Sequence, residues 1–258
     1  MKKKTLLLLF LVLLLLTMPL RVFAVDRTPY NWFVQNNDNH TPPVLHPSFD
    51  FAEKHDFYYL DKKVSDSDKV IYLTFDAGYE NGNVVKILDA LDNHGVKGTF
   101  FILENLIRRE PELVKRMTEE GHAVCNHTAT HPDMSAITDI GLFQKQLTRL
   151  EKAYTELTGQ EMMKVYRPPE GRFSEENLAF SDQLGYKTLF WSFAYADWNN
   201  DKQPDPARAL EKILAHLHNG EVMLLHPTSA TNAAIMDRLL CEIEKQGYRI
   251  ASIEELWT

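Results

Sequence analysis

His127 and His131 stand four residues apart in Asn126-His127-Thr128-Ala129-Thr130-His131-Pro132. On a helical turn that spacing puts both imidazoles on one face, and neutral imidazole is a preferred ligand of zinc and similar divalent metals. Four further segments carry ionisable groups: Asp76 in Thr74-Phe75-Asp76-Ala77-Gly78, Arg167 in Arg167-Pro168-Pro169-Glu170-Gly171, the pair Asp197-Trp198, and His226 in Leu224-Leu225-His226-Pro227. Each alone has an ordinary reading. An Asp after an apolar run serves as a turn residue or helix cap, and a solitary His is more often structural than catalytic. A metal-ligand reading gains weight only if the fold brings a carboxylate and a third histidine to the same place.

The surrounding elements do that. Short apolar runs over 70–75, 99–103, 123–126, 163–166, 187–193, 222–225 and 248–252 read as buried strands. Helical periodicity separates them. Val84, Ile87, Leu88 and Leu91 mark a helix over 83–94 that stops at Gly95. Pro111 opens a helix that ends at Gly121. Others span 138–157, 206–218 and 232–245, and Ser174 caps one that ends at Gly185. Strands alternating with helices imply parallel pairing, because parallel strands need helical crossovers. Seven such units predict an α/β fold, a distorted (β/α)7-type barrel closed or nearly so, with an open doubly wound sheet as the alternative. In a barrel, catalytic groups gather where strands end. Asp76, the His127–His131 pair, Arg167, Asp197 and His226 each follow a different strand.

The ends of the chain read differently. Residues 1–24 combine a basic start, Lys2-Lys3-Lys4, an apolar run over 5–20 and Val22-Phe23-Ala24 with small residues at a cleavage site. That predicts a secretory signal peptide, with an uncleaved membrane anchor as the alternative. Residues 25–66 hold no regular period and are rich in aromatics, as in Tyr30-Asn31-Trp32-Phe33. They predict an irregular N-terminal extension pinned to the main domain, which runs over 67–258. A net charge of −8 argues against nucleic acid or an anionic membrane as partner. Cys125 and Cys241 are the only cysteines, and export leaves open whether they pair or stay as thiols.

The series Thr-Phe-Asp-x-Gly, His-Thr-x-x-His, Arg-x-Pro-x-Gly, Asp-Trp and Leu-Leu-His resembles the motifs of the polysaccharide deacetylase (NodB-homology) family, carbohydrate esterase family four. The motifs stand in the family's order and span nearly all of the chain from Lys69 onward. Residues 74–82, the Asn31-Trp32 and Asn39-His40-x-Pro42-Pro43 segments and Arg167-Pro168-Pro169-x-Gly171 resemble the sporulation branch, which deacetylates N-acetylmuramic acid on the way to muramic δ-lactam in the spore cortex.

The resemblance implies a general base in Asp76, a general acid in His226, a divalent metal such as zinc on His127 and His131, Arg167 tuning the base, and Asp197 pairing the acid histidine. Amide hydrolysis needs those parts: an activated water, a polarised carbonyl, oxyanion stabilisation and a proton for the leaving amine. A backbone N–H in the Pro169-Glu170-Gly171 turn is a candidate oxyanion donor. Tyr166 and Trp198 are candidates to stack on sugar faces, with buried packing as the alternative for each. The implied partners are a peptidoglycan strand and, through its product, an upstream N-acetylmuramoyl-L-alanine amidase; the expectation is a monomer exported to the cell wall or developing spore cortex.

One position departs from the family pattern. Where most members carry a second Asp after the base, the third metal ligand, this chain has Ala77. A weakly held cation is the expectation. Two alternatives stand beside the muramic substrate: N-acetylglucosamine in peptidoglycan or a chitin-like polymer, and an inactive carbohydrate-binding module.

Overall fold

The central strand is Val70–Ala77, in which every residue except Asp76 is buried. Burial on both faces is the signature of a parallel strand covered by helices on one side and by a barrel interior on the other. The computed structural model describes residues 25–258 except 36, 38 and 66, so the signal peptide expected over 1–24 lies outside the described residues. Among the described residues no helix is long and apolar enough to cross a membrane.

In chain order the strands are β1 (Tyr30–Asn31), β2 (Phe57–Tyr58), β3 (Val70–Ala77), β4 (Thr99–Ile102), β5 (Ala123–Asn126), β6 (Met163–Tyr166), β7 (Arg172–Phe173), β8 (Lys187–Leu189), β9 (Glu221–Leu225) and β10 (Arg249–Ile250). The helices are α1 (Val84–Asn93), α2 (Glu104–Arg109), α3 (Pro111–Glu119), α4 (Ile140–Thr158), α5 (Glu175–Gln183), α6 (Pro206–His216) and α7 (Ala230–Lys245). Local chemistry sets their ends. Asp139, Ser174, Asp205 and Ser229 each accept a backbone N–H in the first turn of α4, α5, α6 and α7. Helix α2 carries no separate sequence signal; it is a single short turn-and-a-half that buries Leu106 and Ile107.

All seven expected strands form, and they curl into the distorted barrel. β3 pairs with β9 on one edge and β4 on the other, and the sheet continues through β5, β6 and β8, all in parallel. Two ends differ from the expected pattern. β10 pairs only with Val70 and Ile71, on the β4 edge of β3, and does not enter between β9 and β3. The strand expected over 187–193 loses its regular pairing after Leu189. Its continuation closes the barrel irregularly: Ser192 N–H donates to Val222 C=O at 3.0 Å, and Leu224 N–H to Phe193 C=O at 2.9 Å.

The N-terminal extension fills that seam. β2 pairs in parallel with β8, and Leu60 bridges to Glu221 at the start of β9. Trp32 packs its ring against Phe49, Phe57, Tyr59 and Phe190, with centroids between 4.8 and 5.4 Å. Side chains inside the barrel form one apolar cluster, including Tyr72, Phe101, Cys125, Val165, Leu189 and Val222. The larger core lies between the strands and the helices. Both cysteines are free thiols.

Candidate active site

Along β3, alternate residues face the barrel interior, so Thr74 and Asp76 point inward with Val70 and Tyr72. Arg167, one residue past β6, sends its side chain into the same space and is fully buried. Its guanidinium is held on every side. Nη1 donates to Asp76 Oδ1 at 2.8 Å, Nη2 to Thr74 Oγ1 at 3.0 Å and to Phe190 C=O at 3.1 Å, and Nε to Leu189 C=O at 3.1 Å. The Phe101 ring lies 4.1 Å beneath its carbon. Burial pushes the Asp76 carboxyl up, but the cationic groups around it and the Arg167 hydrogen bond outweigh burial and hold it below the ordinary carboxylate value. Asp76 is therefore an ionised carboxylate, with Oδ2 turned towards His127 Nε2 at 3.6 Å.

His127 is buried at the end of β5. Its Nδ1 lies 2.9 Å from the Arg167 carbonyl oxygen, which can only accept, so Nδ1 carries the proton and Nε2 keeps its lone pair. Burial drives this imidazole down to about 4, so it is neutral at neutral pH. That is the state a metal ligand needs. His131 reaches the same place by a route the spacing does not foretell. Residues 127–131 are a loop, not a helical turn, with Thr128 at φ 75° and His131 at φ 58°. Pro132 disfavours a helical conformation at the residue before it. The loop is braced by Thr128 N–H donating to Asn126 Oδ1 and His131 N–H donating to Thr128 Oγ1, both at 2.9 Å. The two imidazole rings end 5.1 Å apart, nearly perpendicular.

These residues fit a divalent cation held by two imidazole nitrogens. Among the described residues no third protein donor completes the set: Ala77 is fully buried in the layer beneath the helices. Among the described residues, Asp76, His127 and His131 do not bring three ligand atoms within 4.8 Å of one another.

Across the cavity His226 follows β9. Its Nδ1 lies 2.7 Å from Asp197 Oδ1, and its backbone N–H donates to Asp197 Oδ2 at 2.8 Å. Asn232, in the first turn of α7, donates from Nδ2 to Asp197 Oδ2 at 2.6 Å and to the His226 carbonyl at 3.0 Å. Tyr195 donates its hydroxyl to Asn232 Oδ1. Burial disfavours the imidazolium, but the hydrogen bond and charge of Asp197 outweigh it and raise the His226 pKa above its ordinary 6.5. Asp197 was anticipated; Asn232 and Tyr195 were not, because an Asn near a helix start reads as a local cap.

A cavity of about 610 Å³ joins the two halves. Asp76, His127, His131, Glu170, Gly171, Trp198 and His226 line it. Trp198 is 60% exposed at the rim, its ring edge-on to His226 at 6.2 Å. Two expected substrate contacts fall elsewhere. Tyr166 is 1% exposed and packs on Phe143 in a core cluster, because as the last residue of β6 it alternates away from inward Val165. Pro169 is buried and does not line the cavity. The Gly171 N–H is already given to Pro168 C=O at 3.0 Å. Glu170, at φ 56°, therefore holds the one backbone N–H of that turn still able to face an oxyanion.

Sequence reasoning missed Tyr79, Leu103 and Trp191 in the cavity wall. Trp191 hides within an apolar run that reads as plain strand. It is fixed by the extension: Trp32 Nε1–H donates to the Trp191 carbonyl at 2.9 Å, and Trp32 N–H to the Gly171 carbonyl at 2.8 Å.

Residues 63–189 match the family model for polysaccharide deacetylase. Over 90% of its length the chain is 38% identical to the peptidoglycan-N-acetylmuramic acid deacetylase PdaA of Bacillus subtilis, 88% of which is covered. The solved structure of Bacillus subtilis PdaA, a family 4 carbohydrate esterase, matches with a TM-score of 0.85, covering 90% of this chain and 98% of that one. A family 4 carbohydrate esterase from Bacillus anthracis matches at 33% identity and a TM-score of 0.74, covering 91% and 98%.

Proposed function

The chain belongs to the polysaccharide deacetylase family, hydrolases that cleave the C–N bond of an N-acetyl group, and from that premise we propose that it deacetylates N-acetylmuramic acid in peptidoglycan, as a step towards muramic δ-lactam in the spore cortex. One observation carries the chemical part: two carboxylate-held dyads, Arg167–Asp76 and Asp197–His226, face one cavity with opposite pKa shifts. Such a divergence is what separates a base from an acid. The similarity to PdaA supports the muramic residue as substrate.

In this reading Asp76 takes a proton from the attacking water, whose oxygen adds to the acetyl carbonyl carbon. Arg167 keeps Asp76 ionised and aimed. The Glu170 N–H stabilises the developing oxyanion. His226, protonated because Asp197 favours its cation, gives its proton to the sugar nitrogen as the C–N bond breaks. Acetate and a free amine leave. His127 and His131 are the residues that would hold a divalent cation such as zinc, which when bound supplies Lewis-acid polarisation of the carbonyl. Residues 1–24 are read as a secretory leader, which places the monomeric enzyme at the cell wall, and residues 25–66 as an extension of the catalytic domain. Lactam closure needs a free lactyl carboxyl, so an upstream N-acetylmuramoyl-L-alanine amidase must first remove the peptide.

A second substrate, N-acetylglucosamine, is favoured by the charge of the cavity. Among the described residues its walls carry the carboxylates of Asp76 and Glu170 and no lysine or arginine. A neutral sugar avoids the repulsion that a lactyl carboxylate meets there. Acetate release from three defined glycans separates the readings: peptide-bearing strands, strands stripped of peptide, and an N-acetylglucosamine polymer. The muramic reading expects turnover of the stripped strands above the other two, and preference for the polymer would overturn it. Asp76→Asn should abolish release from all three.

A further inference from the structure

On the outer layer, away from the cavity, three donor side chains of different chemistry converge where α1 meets α7. His94 closes the C-terminus of α1. Asp237 and Cys241 lie four apart on α7, the spacing that puts two side chains on one helix face. His94 Nε2 is 2.9 Å from Asp237 Oδ1, and one ligand atom from each of His94, Asp237 and Cys241 lies within 4.8 Å of the other two. Among the described residues no other three His, Cys, Asp or Glu side chains do this. From this geometry we propose a second metal site, His94–Asp237–Cys241, for a borderline-soft divalent cation of the zinc type.

The donor set selects the ion. A thiolate and an imidazole disfavour calcium and magnesium, which take oxygen ligands, and favour zinc. Tetrahedral zinc, with bonds of about 2.0–2.3 Å, sets its ligand atoms about 3.3–3.6 Å apart. The His94–Asp237 pair is already closer than that, and Cys241 needs a shift of no more than about 1.5 Å, within reach of its side-chain torsion. The half-buried thiol is the accessible one: Cys125 is fully buried inside the barrel. Three protein ligands leave one position open to solvent.

The site has a place in the architecture. α1 follows β3, which carries Asp76, and α7 follows β9, just past whose end His226 stands. β3 and β9 are hydrogen-bonded neighbours. At the cavity end the two units are tied by Asn81 and Asn83, whose side-chain amides donate to the Thr228 carbonyl at 2.9 and 3.0 Å. A cation on His94, Asp237 and Cys241 clips the opposite end of the same pair. It braces the strand pair from whose ends Asp76 and His226 reach the cavity, and it touches no substrate.

Cobalt(II) is the probe, because a cobalt–thiolate bond gives a near-ultraviolet charge-transfer band that imidazole and carboxylate ligands do not. The secreted form is stripped with chelator under reducing conditions and titrated with cobalt, then with zinc. The expected result is the thiolate band saturating at one equivalent, displacement by zinc, and at least tenfold slower reaction of Cys241 with a thiol reagent when zinc is present. The band should persist in a His127→Ala/His131→Ala variant and vanish in Cys241→Ser. Asp237→Asn, a surface change that leaves the fold intact, should weaken zinc protection of the thiol by about tenfold or more. No band in the wild type, a band that survives Cys241→Ser, or equal thiol reactivity with and without zinc each overturns the site.

Discussion

Arg167 and Asp76 meet at 2.8 Å inside the barrel, the guanidinium fully buried and the carboxylate its outlet towards the cavity. Neither would be tolerated there alone. Removing the cation leaves a buried carboxylate uncompensated, a loss of about 3–5 kcal/mol. Arg167→Met is expected to lower the unfolding free energy by that margin, with a lower denaturant midpoint, and to silence acetate release. Arg167→Lys keeps the charge but cannot reach Thr74, Leu189 and Phe190 together, so it should fall between. Urea unfolding and an acetate assay on the same preparations check both.

Asp197→Asn changes the pH profile. Asp197 raises the pKa of His226 above 6.5, and in the proposed mechanism His226 must be protonated to act. Activity carried by His226 is therefore present below its folded pKa and lost as pH rises through it. Without the carboxylate that pKa falls, so the alkaline limb of the rate profile moves to lower pH. Turnover at neutral pH should drop by about 10². An unmoved alkaline limb would show that another group sets it.

Chelation should silence the enzyme, and zinc should restore it. If His127 and His131 hold the cation as proposed, with Ala77 beside Asp76, it should be held more weakly than by three protein ligands, and a mild chelator should suffice. His127→Ala should abolish restoration. Full activity in rigorously metal-free protein would remove the cation from the reaction.

Gly171→Ala tests how the extension shapes the cavity. At φ +65° a Cβ is strained, and it would stand 2.8 Å from Trp191 Cη2 and 3.0 Å from Trp32 Cβ. A loss of about 1–3 kcal/mol is expected from strain and overpacking. Trp191 should shift in the cavity wall, raising KM more than it lowers kcat. Steady-state kinetics with thermal unfolding separates the two effects.

Much of the barrel is legible in the chain because its strands are short, apolar and punctuated by helices. Asp76, Arg167 and His226 stand out as ionisable residues at the ends of such runs. Tertiary context decides the rest. Tyr166 looks like a sugar platform until strand alternation turns it into the core. His131 shares a face with His127 through two left-handed backbone turns, which its spacing does not encode. Trp191 and Asn232 contribute through contacts with Trp32 and Asp197, each dozens of residues away or more. The seam strand β2 is two residues long, too short to show a period.

That seam strand also sets an order of events. Phe57 and Tyr58 emerge early from any machinery that delivers the chain N-terminus first, yet they hydrogen-bond beside Thr188 and Leu189, and Leu60 waits for Glu221. Pairings so distant in sequence are slow to form. Until residues 173–191 have been delivered, the aromatic residues around Trp32 have only one another and lack the Phe173 and Phe190 side of their cluster, which leaves that face open to a chaperone or to a neighbouring chain. The seam of this barrel therefore closes late, when an early segment of the domain meets strands from its second half.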